Sequence, residues 1–218
     1  MPAWGVSSGA VAVGLSLFPG WVAKLSPCYD LGMSSDQSDT FPGLKEIFLE
    51  EKQIQQKVAD LGVRITQDYR GKTPLLIGVL RGAAIFHADL IRHIELKLRV
   101  DFISVASYGD ATKTSGEVQL IKDLDTSIRG VDAILVEDIV DTGLTLDYLV
   151  RNLESRRPAS LRSCALLSKP SRRCIDIPID YVGFEVPDKF FVGYGLDHQQ
   201  KYRNLPFIAS LGNDRTDF

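Results

Sequence analysis

Val131-Asp-Ala-Ile-Leu-Val-Glu137-Asp138-Ile-Val-Asp141-Thr142-Gly143-Leu144-Thr145 is the stretch on which the reading of the fold turns. The apolar run Ala133–Val136 predicts a buried strand, and two adjacent carboxylates, Glu137 and Asp138, follow it. Asp141 comes next, then Thr142-Gly143-Leu144-Thr145, then a helical pattern with Leu146, Leu149, Val150 and Leu153 at i, i+3, i+4 and i+7. A strand that turns through Thr-Gly-x-Thr into a helix offers loop amides, a helix N-terminus and two hydroxyls to a phosphate. Phosphate alone gives no reason for three acids beside the loop, since they repel it. Carboxylates do accept hydrogen bonds from vicinal hydroxyls and help to hold Mg²⁺. The acids therefore point to a ligand with hydroxyls, a metal or developing positive charge, and a phosphorylated sugar suits the whole segment.

Working outward, the pattern from Glu50 is helical, with Ile54, Val58, Leu61 and Ile65 recurring at offsets of four, three and four. Pro74–Leu80 predicts a central strand, apolar on both faces as parallel strands tend to be. Gly82–Leu96 predicts a helix with Phe86, Leu90 and Ile94 on one stripe, and Arg99–Tyr108 a second strand. Asp110–Glu117 is a polar, Gly-flanked loop of a length that is often functional, though a solvated hairpin is an alternative, and Val118–Leu124 returns as a strand. Beyond the helix at Leu146–Leu153, where Asp147 and Arg151 form an i, i+4 pair, Leu161–Leu167 and Tyr181–Glu185 are two more strands. No internal repeat or low-complexity segment interrupts the series. Strands alternating with helices imply an α/β domain with a parallel sheet, whose ligands gather at the carboxyl ends of the strands. Leu80-Arg81-Gly82, Ser107-Tyr108, Glu137-Asp138 and Lys169 each follow a predicted strand, so four separated motifs converge on one rim.

The 218 residues suffice for one domain and an appendage. A charged fraction of 24% beside 44% hydrophobic residues is ordinary for a soluble chain, and a net charge of −3 argues against a general nucleic-acid binder. Cys28, Cys164 and Cys174 are odd in number and form no C-x-x-C pair, which argues against a disulfide framework or zinc site. Residues 1–23 carry no charged side chain, and the apolar stretch Ala10–Ala23 is broken by Pro19-Gly20. It is too short and interrupted to span a membrane, and it lacks the basic start of a secretory signal. Residues 33–43 form a polar linker opened by Met33. The expectation is an extension over 1–43, disordered or in part an over-called translation start, ahead of a domain over 44–218.

The 131–145 stretch closely resembles the phosphoribosyl-pyrophosphate signature of type I phosphoribosyltransferases. The resemblance runs from about Ile47 to Ile208, and the surrounding motifs narrow it to the hypoxanthine-guanine phosphoribosyltransferases. It implies a central, mostly parallel sheet flanked by helices, with a small hood built from the terminal segments. It also implies purine salvage: transfer of the 5-phosphoribosyl group of phosphoribosyl pyrophosphate to N9 of hypoxanthine or guanine, giving IMP or GMP and pyrophosphate. Thr142, Gly143, Leu144 and Thr145 would hold the 5′-phosphate. Glu137 and Asp138 would take the ribose hydroxyls and share in holding Mg²⁺. Asp141 stands where the family places an acid beside the purine's N7, able to take the proton displaced when N9 attacks the anomeric carbon.

Leu80-Arg81-Gly82 matches the family's pyrophosphate loop, with its non-proline cis peptide before the basic residue. Some relatives have Lys in place of Arg81, so a backbone role transfers better than a side-chain one. Ser107, Tyr108 and the loop to Glu117 match a lid whose closure keeps water from an oxocarbenium-like transition state. Pro187–Asp197 resembles the purine and metal segment: Phe190 would stack on the base, the Phe191 carbonyl would face position 2, and Asp197 would help hold Mg²⁺. Phe191 departs from the Val often found there. Arg203 matches a pyrophosphate-contacting arginine. Lys169 has donors only, which suits the O6 acceptor of a 6-oxopurine and opposes the amino group of adenine. Taken singly, these residues would be a helix cap, an exposed lysine, a surface arginine and core aromatics.

The resemblance implies small-molecule substrates, no nucleic-acid or membrane partner, a homodimer or homotetramer, and a cytoplasmic location. A xanthine-preferring relative ranks lower, because xanthine's 2-oxo group would meet the Phe191 carbonyl, acceptor against acceptor. A phosphoribosyl-pyrophosphate-sensing regulator on the same fold would lose base-recognition residues and show a basic face. A phosphotransfer receiver domain would explain neither Thr-Gly-Leu-Thr nor Pro187–Asp197.

Overall fold

The fold is seen in a computed structural model that describes residues 41, 43–108 and 117–212. In chain order the elements are β1 (Leu44–Leu49), α1 (Glu51–Asp68), β2 (Leu75–Leu80), α2 (Ala84–Arg92), β3 (Arg99–Tyr108), β4 (Glu117–Lys122), β5 (Asp132–Val140), α3 (Leu144–Glu154), β6 (Ser160–Ser168), a 3₁₀ turn (Pro170–Arg172), β7 (Tyr181–Glu185), β8 (Phe191–Val192) and β9 (Ile208–Leu211). Six strands form one sheet in the order β4-β3-β2-β5-β6-β7, parallel except for the β3–β4 pair. The chain leaves β2 toward β3 on one side and returns as β5 on the other. That reversal opens a crevice at the strand ends, the usual ligand position in such sheets.

Apolar periodicity decided most of these elements. Ile54, Val58, Leu61 and Ile65 are fully buried along one face of α1, each burial contributing roughly 1.5–3 kcal/mol. Gly62 lets this helix approach the end of α2, since a Cβ there would lie 2.5 Å from the Cβ of His93. Leu146, Leu149 and Leu153 bury the inner face of α3, while Asp147 and Arg151 pair outside it at 3.0 Å.

Several boundaries depart from the sequence reading. The helix predicted over 82–96 is confined to Ala84–Arg92, because the His93 and Ile94 amides turn back to carbonyls three residues earlier. Ile94 is still buried beyond its end. The strand predicted over 118–124 is Glu117–Lys122, the antiparallel partner of β3, and most of the predicted lid lies outside the described residues. The largest correction concerns β5, which does not stop at Val136. Glu137, Ile139 and Val140 pair with Ala165, Leu167 and Ser168 of β6, so the two acids lie within the strand.

A second sheet, β1-β9-β8, joins the two ends of the described chain through antiparallel pairs such as Leu44 with Leu211 and Phe191 with Ser210. Its inner residues Leu49, Phe191 and Ile208 belong to the core shared with α1, β5 and β6. Leu205, Phe207 and Ala209 form a small core of their own. This is the hood expected from the terminal segments. No described helix is long and apolar enough to cross a membrane.

Candidate active site

β5 delivers its carboxylates to the crevice at the strand ends where β2 and β5 adjoin. Glu137 is buried, only 6% exposed, and burial first, then the neighbouring Asp138 charge, push its pKa well above the usual carboxylate range. Burial also lifts Asp138 to about 6, against hydrogen bonds from backbone amides and the attraction of Arg203. The amide of Ile139 donates to Asp138 Oδ1 at 2.8 Å. Two desolvated carboxylates that resist ionisation are costly to fold around and gain from a cation or from hydroxyl donors.

Past Val140 the chain leaves the sheet and wraps a small cavity of about 100 Å³, lined by Glu137, Ile139, Val140, Asp141, Thr142, Gly143, Thr145 and Leu146. Gly143 caps α3 at φ 87°, in the left-handed region that glycine adopts without strain, and α3 has no side-chain cap. The Thr142 hydroxyl accepts from the Leu144 amide at 3.4 Å, so the threonine takes one amide of the helix start from one position before the N-cap Gly143. The Cys174 amide donates to the Thr142 carbonyl at 3.0 Å and fixes the loop from beneath.

Asp141 and Lys169 meet beside this loop. Lys169 Nζ donates to Asp141 Oδ2 at 3.2 Å, and Arg172 Nε to Asp141 Oδ1 at 3.1 Å. Lys169 is not the exposed lysine that a Ser-Lys-Pro turn suggests: its side chain is 7% exposed. Asp188 faces both cations, 3.8 Å from Lys169 Nζ and 3.6 Å from Arg172 Nη1. The two phenylalanines divide. Phe191 is buried against Phe48, with ring centres 4.8 Å apart, whereas Phe190 is 53% exposed and meets His198 edge-on. Phe190 therefore has a free face for a planar ligand.

On the β2 side, the Leu80–Arg81 peptide is cis, as the resemblance implies. Arg81 Nη1 donates to Gln200 Oε1 at 2.9 Å, and Arg203 Nη2 donates to the same oxygen at 3.4 Å. Arg203 also pairs with Asp197 Oδ1 at 2.7 Å and donates to the Gly195 carbonyl at 2.6 Å. The Gln200 amide donates to Asp197 Oδ2 at 2.8 Å. Ser107 and Tyr108 close β3 on the same side of the sheet, paired with Val118 and Glu117. Among the described residues no three His, Cys, Asp or Glu side chains converge to hold a metal on their own, so Glu137, Asp138 and Asp197 are not a preformed cage.

Sequence reasoning missed Arg172, Asp188 and Gln200. Arg172 lies in the basic run after Lys169, a signal that was present but unread. Asp188 and Gln200 lie in irregular segments with no pattern to mark them.

The phosphoribosyl transferase domain family matches residues 46–199. The chain is 52% identical over 168 residues to the hypoxanthine-guanine phosphoribosyltransferase of Bacillus subtilis, an alignment covering 77% of this chain and 93% of that one. It is 48% identical over 181 residues to the enzyme of the same name from Mycobacterium avium, covering 80% and 89%. A crystal structure of the Bacillus anthracis hypoxanthine-guanine phosphoribosyltransferase superposes with a TM-score of 0.75 at 48% identity, over 78% of this chain and 99% of that one.

Proposed function

Because the chain belongs to the phosphoribosyl transferase family, we propose that it transfers the 5-phosphoribosyl group of phosphoribosyl pyrophosphate to N9 of hypoxanthine or guanine in purine salvage. The observation that carries this reading is the Asp141–Lys169 pair, an acceptor and a donor-only cation 3.2 Å apart. A 6-oxopurine offers N7 and O6 side by side on one edge. Lys169 donates to O6 and Asp141 faces N7. As the N9 lone pair forms its bond to C1′, the C1′–O bond to pyrophosphate breaks and its electrons leave with the diphosphate. The proton displaced from N7 passes to Asp141. Phe190 stacks on the base with its exposed face, and the Phe191 carbonyl lies at position 2.

Thr142–Thr145 hold the 5′-phosphate, Glu137 and Asp138 the ribose hydroxyls. Leu80, Arg81, Gly82 and Arg203 take the pyrophosphate, with Ser107 and Tyr108 at the base of the lid. Mg²⁺ suits this donor set. It binds through one or two carboxylates together with substrate oxygens and waters, which needs no three-carboxylate cage. Asp197, with help from Glu137 and Asp138, would hold it, and the ion would neutralise charge on the departing pyrophosphate. Membership of the family supports a cytoplasmic homodimer or homotetramer built on a domain over 44–218.

A steady-state assay with hypoxanthine, guanine, xanthine and adenine tests the reading. Turnover of the first two well above the others is expected. A preference for xanthine would replace the base assignment, and tight binding of phosphoribosyl pyrophosphate without turnover would replace the enzyme with a regulator.

A further inference from the structure

Four charged side chains beside the loop after β5 alternate in sign around a closed circuit. Asp141 accepts from Lys169 Nζ on Oδ2 and from Arg172 Nε on Oδ1. Asp188 closes the circuit, 3.8 Å from Lys169 Nζ and 3.6 Å from Arg172 Nη1. Only Lys169 is buried, whereas the side chains of Arg172 and Asp188 are 47% and 53% exposed. Ion pairs so open to water add little to stability. Backbone bonds nonetheless pin every segment that carries them. The Lys169 amide donates to the Val140 carbonyl at 3.0 Å, one residue ahead of Asp141. The Val186 amide donates to the Ser168 carbonyl at 2.8 Å, two residues ahead of Asp188. Lys169 and Arg172 bracket the 3₁₀ turn, with the Arg172 amide on the Lys169 carbonyl at 3.1 Å. Residues three apart eclipse in such a turn, which brings both cations to the same two carboxylates.

A lysine and an aspartate in contact satisfy each other, which is a difficulty on an edge that must read a base. Lys169 has to donate to O6 and Asp141 has to accept from N7, yet a lone pair of opposite charges turns inward on itself. The circuit supplies each with a second partner: Asp188 for Lys169 and Arg172 for Asp141. Arginine suits the second task, because Nε and Nη1 reach different carboxylates at once, whereas an ammonium is a single point of charge.

We infer that Arg172 is a positioning residue for the transfer. It fixes Asp141 Oδ1 so that Oδ2 stays beside Lys169 Nζ on the edge that meets the purine. Through Asp188 it also ties that acid to the segment carrying Phe190. The inference rests on the function proposed above, and it gives the acid a support that lies outside the signature stretch. A residue that acts in this way loses its effect once Asp141 is gone.

The test measures hypoxanthine turnover for wild type, Arg172→Gln, Arg172→Met, Asp141→Ala and the two double variants. Calorimetry gives the affinity for phosphoribosyl pyrophosphate, and circular dichroism follows thermal unfolding. R172Q and R172M should lose roughly tenfold to a hundredfold in kcat, the scale on which a displacement of about 1 Å acts. They should bind phosphoribosyl pyrophosphate as wild type does and melt close to it. On the D141A background the same changes should lower kcat by less than about twofold, since no carboxylate is left to hold. Unchanged kcat in the single variants would overturn the inference. So would losses as large on the D141A background as on wild type, or phosphoribosyl pyrophosphate affinity falling in step with kcat. Variants that both fail to fold would make Arg172 a structural residue and overturn it as well. A wild type that does not turn over hypoxanthine, or D141A as active as wild type, would overturn the proposed function itself and this inference with it.

Discussion

Replacing Lys169 with glutamine tests the base-recognition half of the proposal most sharply. Lys169 Nζ is 7% exposed on its side chain, close to Asp141 and Asp188, and lies 5.8 Å from the centre of the Phe191 ring. So enclosed an ammonium presents donors alone, and adenine would set its amino group against them. Glutamine keeps a polar end but can turn either its carbonyl or its amide to the base. Losing a hydrogen bond from a charged donor costs about 1.5–3 kcal/mol, which is about tenfold to a hundredfold in kcat/KM for hypoxanthine. Adenine loses nothing and can gain the glutamine carbonyl as an acceptor. The hypoxanthine-to-adenine ratio should therefore fall by at least about tenfold. Asp141 should stay in place, because Arg172 Nε still holds it at 3.1 Å, so the change reports on the base contact. Initial rates with both bases at saturating phosphoribosyl pyrophosphate supply the ratio. If it is unchanged, base selection does not depend on Lys169 and the Asp141–Lys169 edge reading is wrong.

Asp141→Asn should lower kcat by roughly 10²–10⁴-fold while the affinity for phosphoribosyl pyrophosphate changes little, as pre-steady-state turnover and equilibrium binding would reveal. Activity should vanish in excess chelator and return with Mg²⁺, and Asp197→Asn should raise the Mg²⁺ concentration needed for half-activity more than the KM for base. A chain beginning at Met33 should melt and turn over like the full one, since the family match begins at residue 46; loss of either would give the extension a role in the fold. Burial of His87 lowers its pKa from 6.5 against a weaker upward pull from the Leu76 carbonyl, so the unfolded chain takes up the proton first. Stability from this group is complete above about pH 6.5 and lost as pH falls toward the folded value, and denaturant titrations near pH 7.5 and 5.5 should give a smaller difference for His87→Leu than for wild type.

What was legible in the sequence was whatever repeats. The faces of α1 and α3, and the apolar strands β2 and β6, are periodic or uniformly buried, and side-chain polarity reports burial directly. The end of β5 was misread for the same reason. A change from apolar to acidic residues looks like emergence into solvent, yet Glu137 stays buried and the strand pairs with β6 as far as Val140. Burying carboxylates is unfavourable without a ligand, so polarity misleads at the position where function overrides it. The hood strands escaped detection because β8 has two residues and β9 four, too few for an alternating signal. Their existence depends on pairing across most of the chain, Leu44 with Leu211. Gln200 and Asp188 belong to the same class, reaching their partners only after the hood has formed.

The hood also explains why motifs so far apart in sequence behave as one site. Gly195, at φ 100°, packs against the pyrophosphate loop so closely that a Cβ would lie 2.1 Å from the Gly82 carbonyl. Gly82 is in turn pressed on Asp138, where a Cβ would fall 1.7 Å from Oδ2. Arg203 binds the Gly195 carbonyl and Asp197, and shares Gln200 with Arg81. The Leu80–Gly82 loop, Asp138 of β5 and the 195–203 segment thus meet through two glycines and one arginine. At Gly195 the obstacle to a side chain is the Gly82 backbone, and at Gly82 it is the Asp138 carboxylate, which the Ile139 amide holds at 2.8 Å. Side-chain-free approach is what lets these three segments share one crevice, and it ties any shift of the 195–203 segment to the Leu80–Gly82 loop and to Asp138.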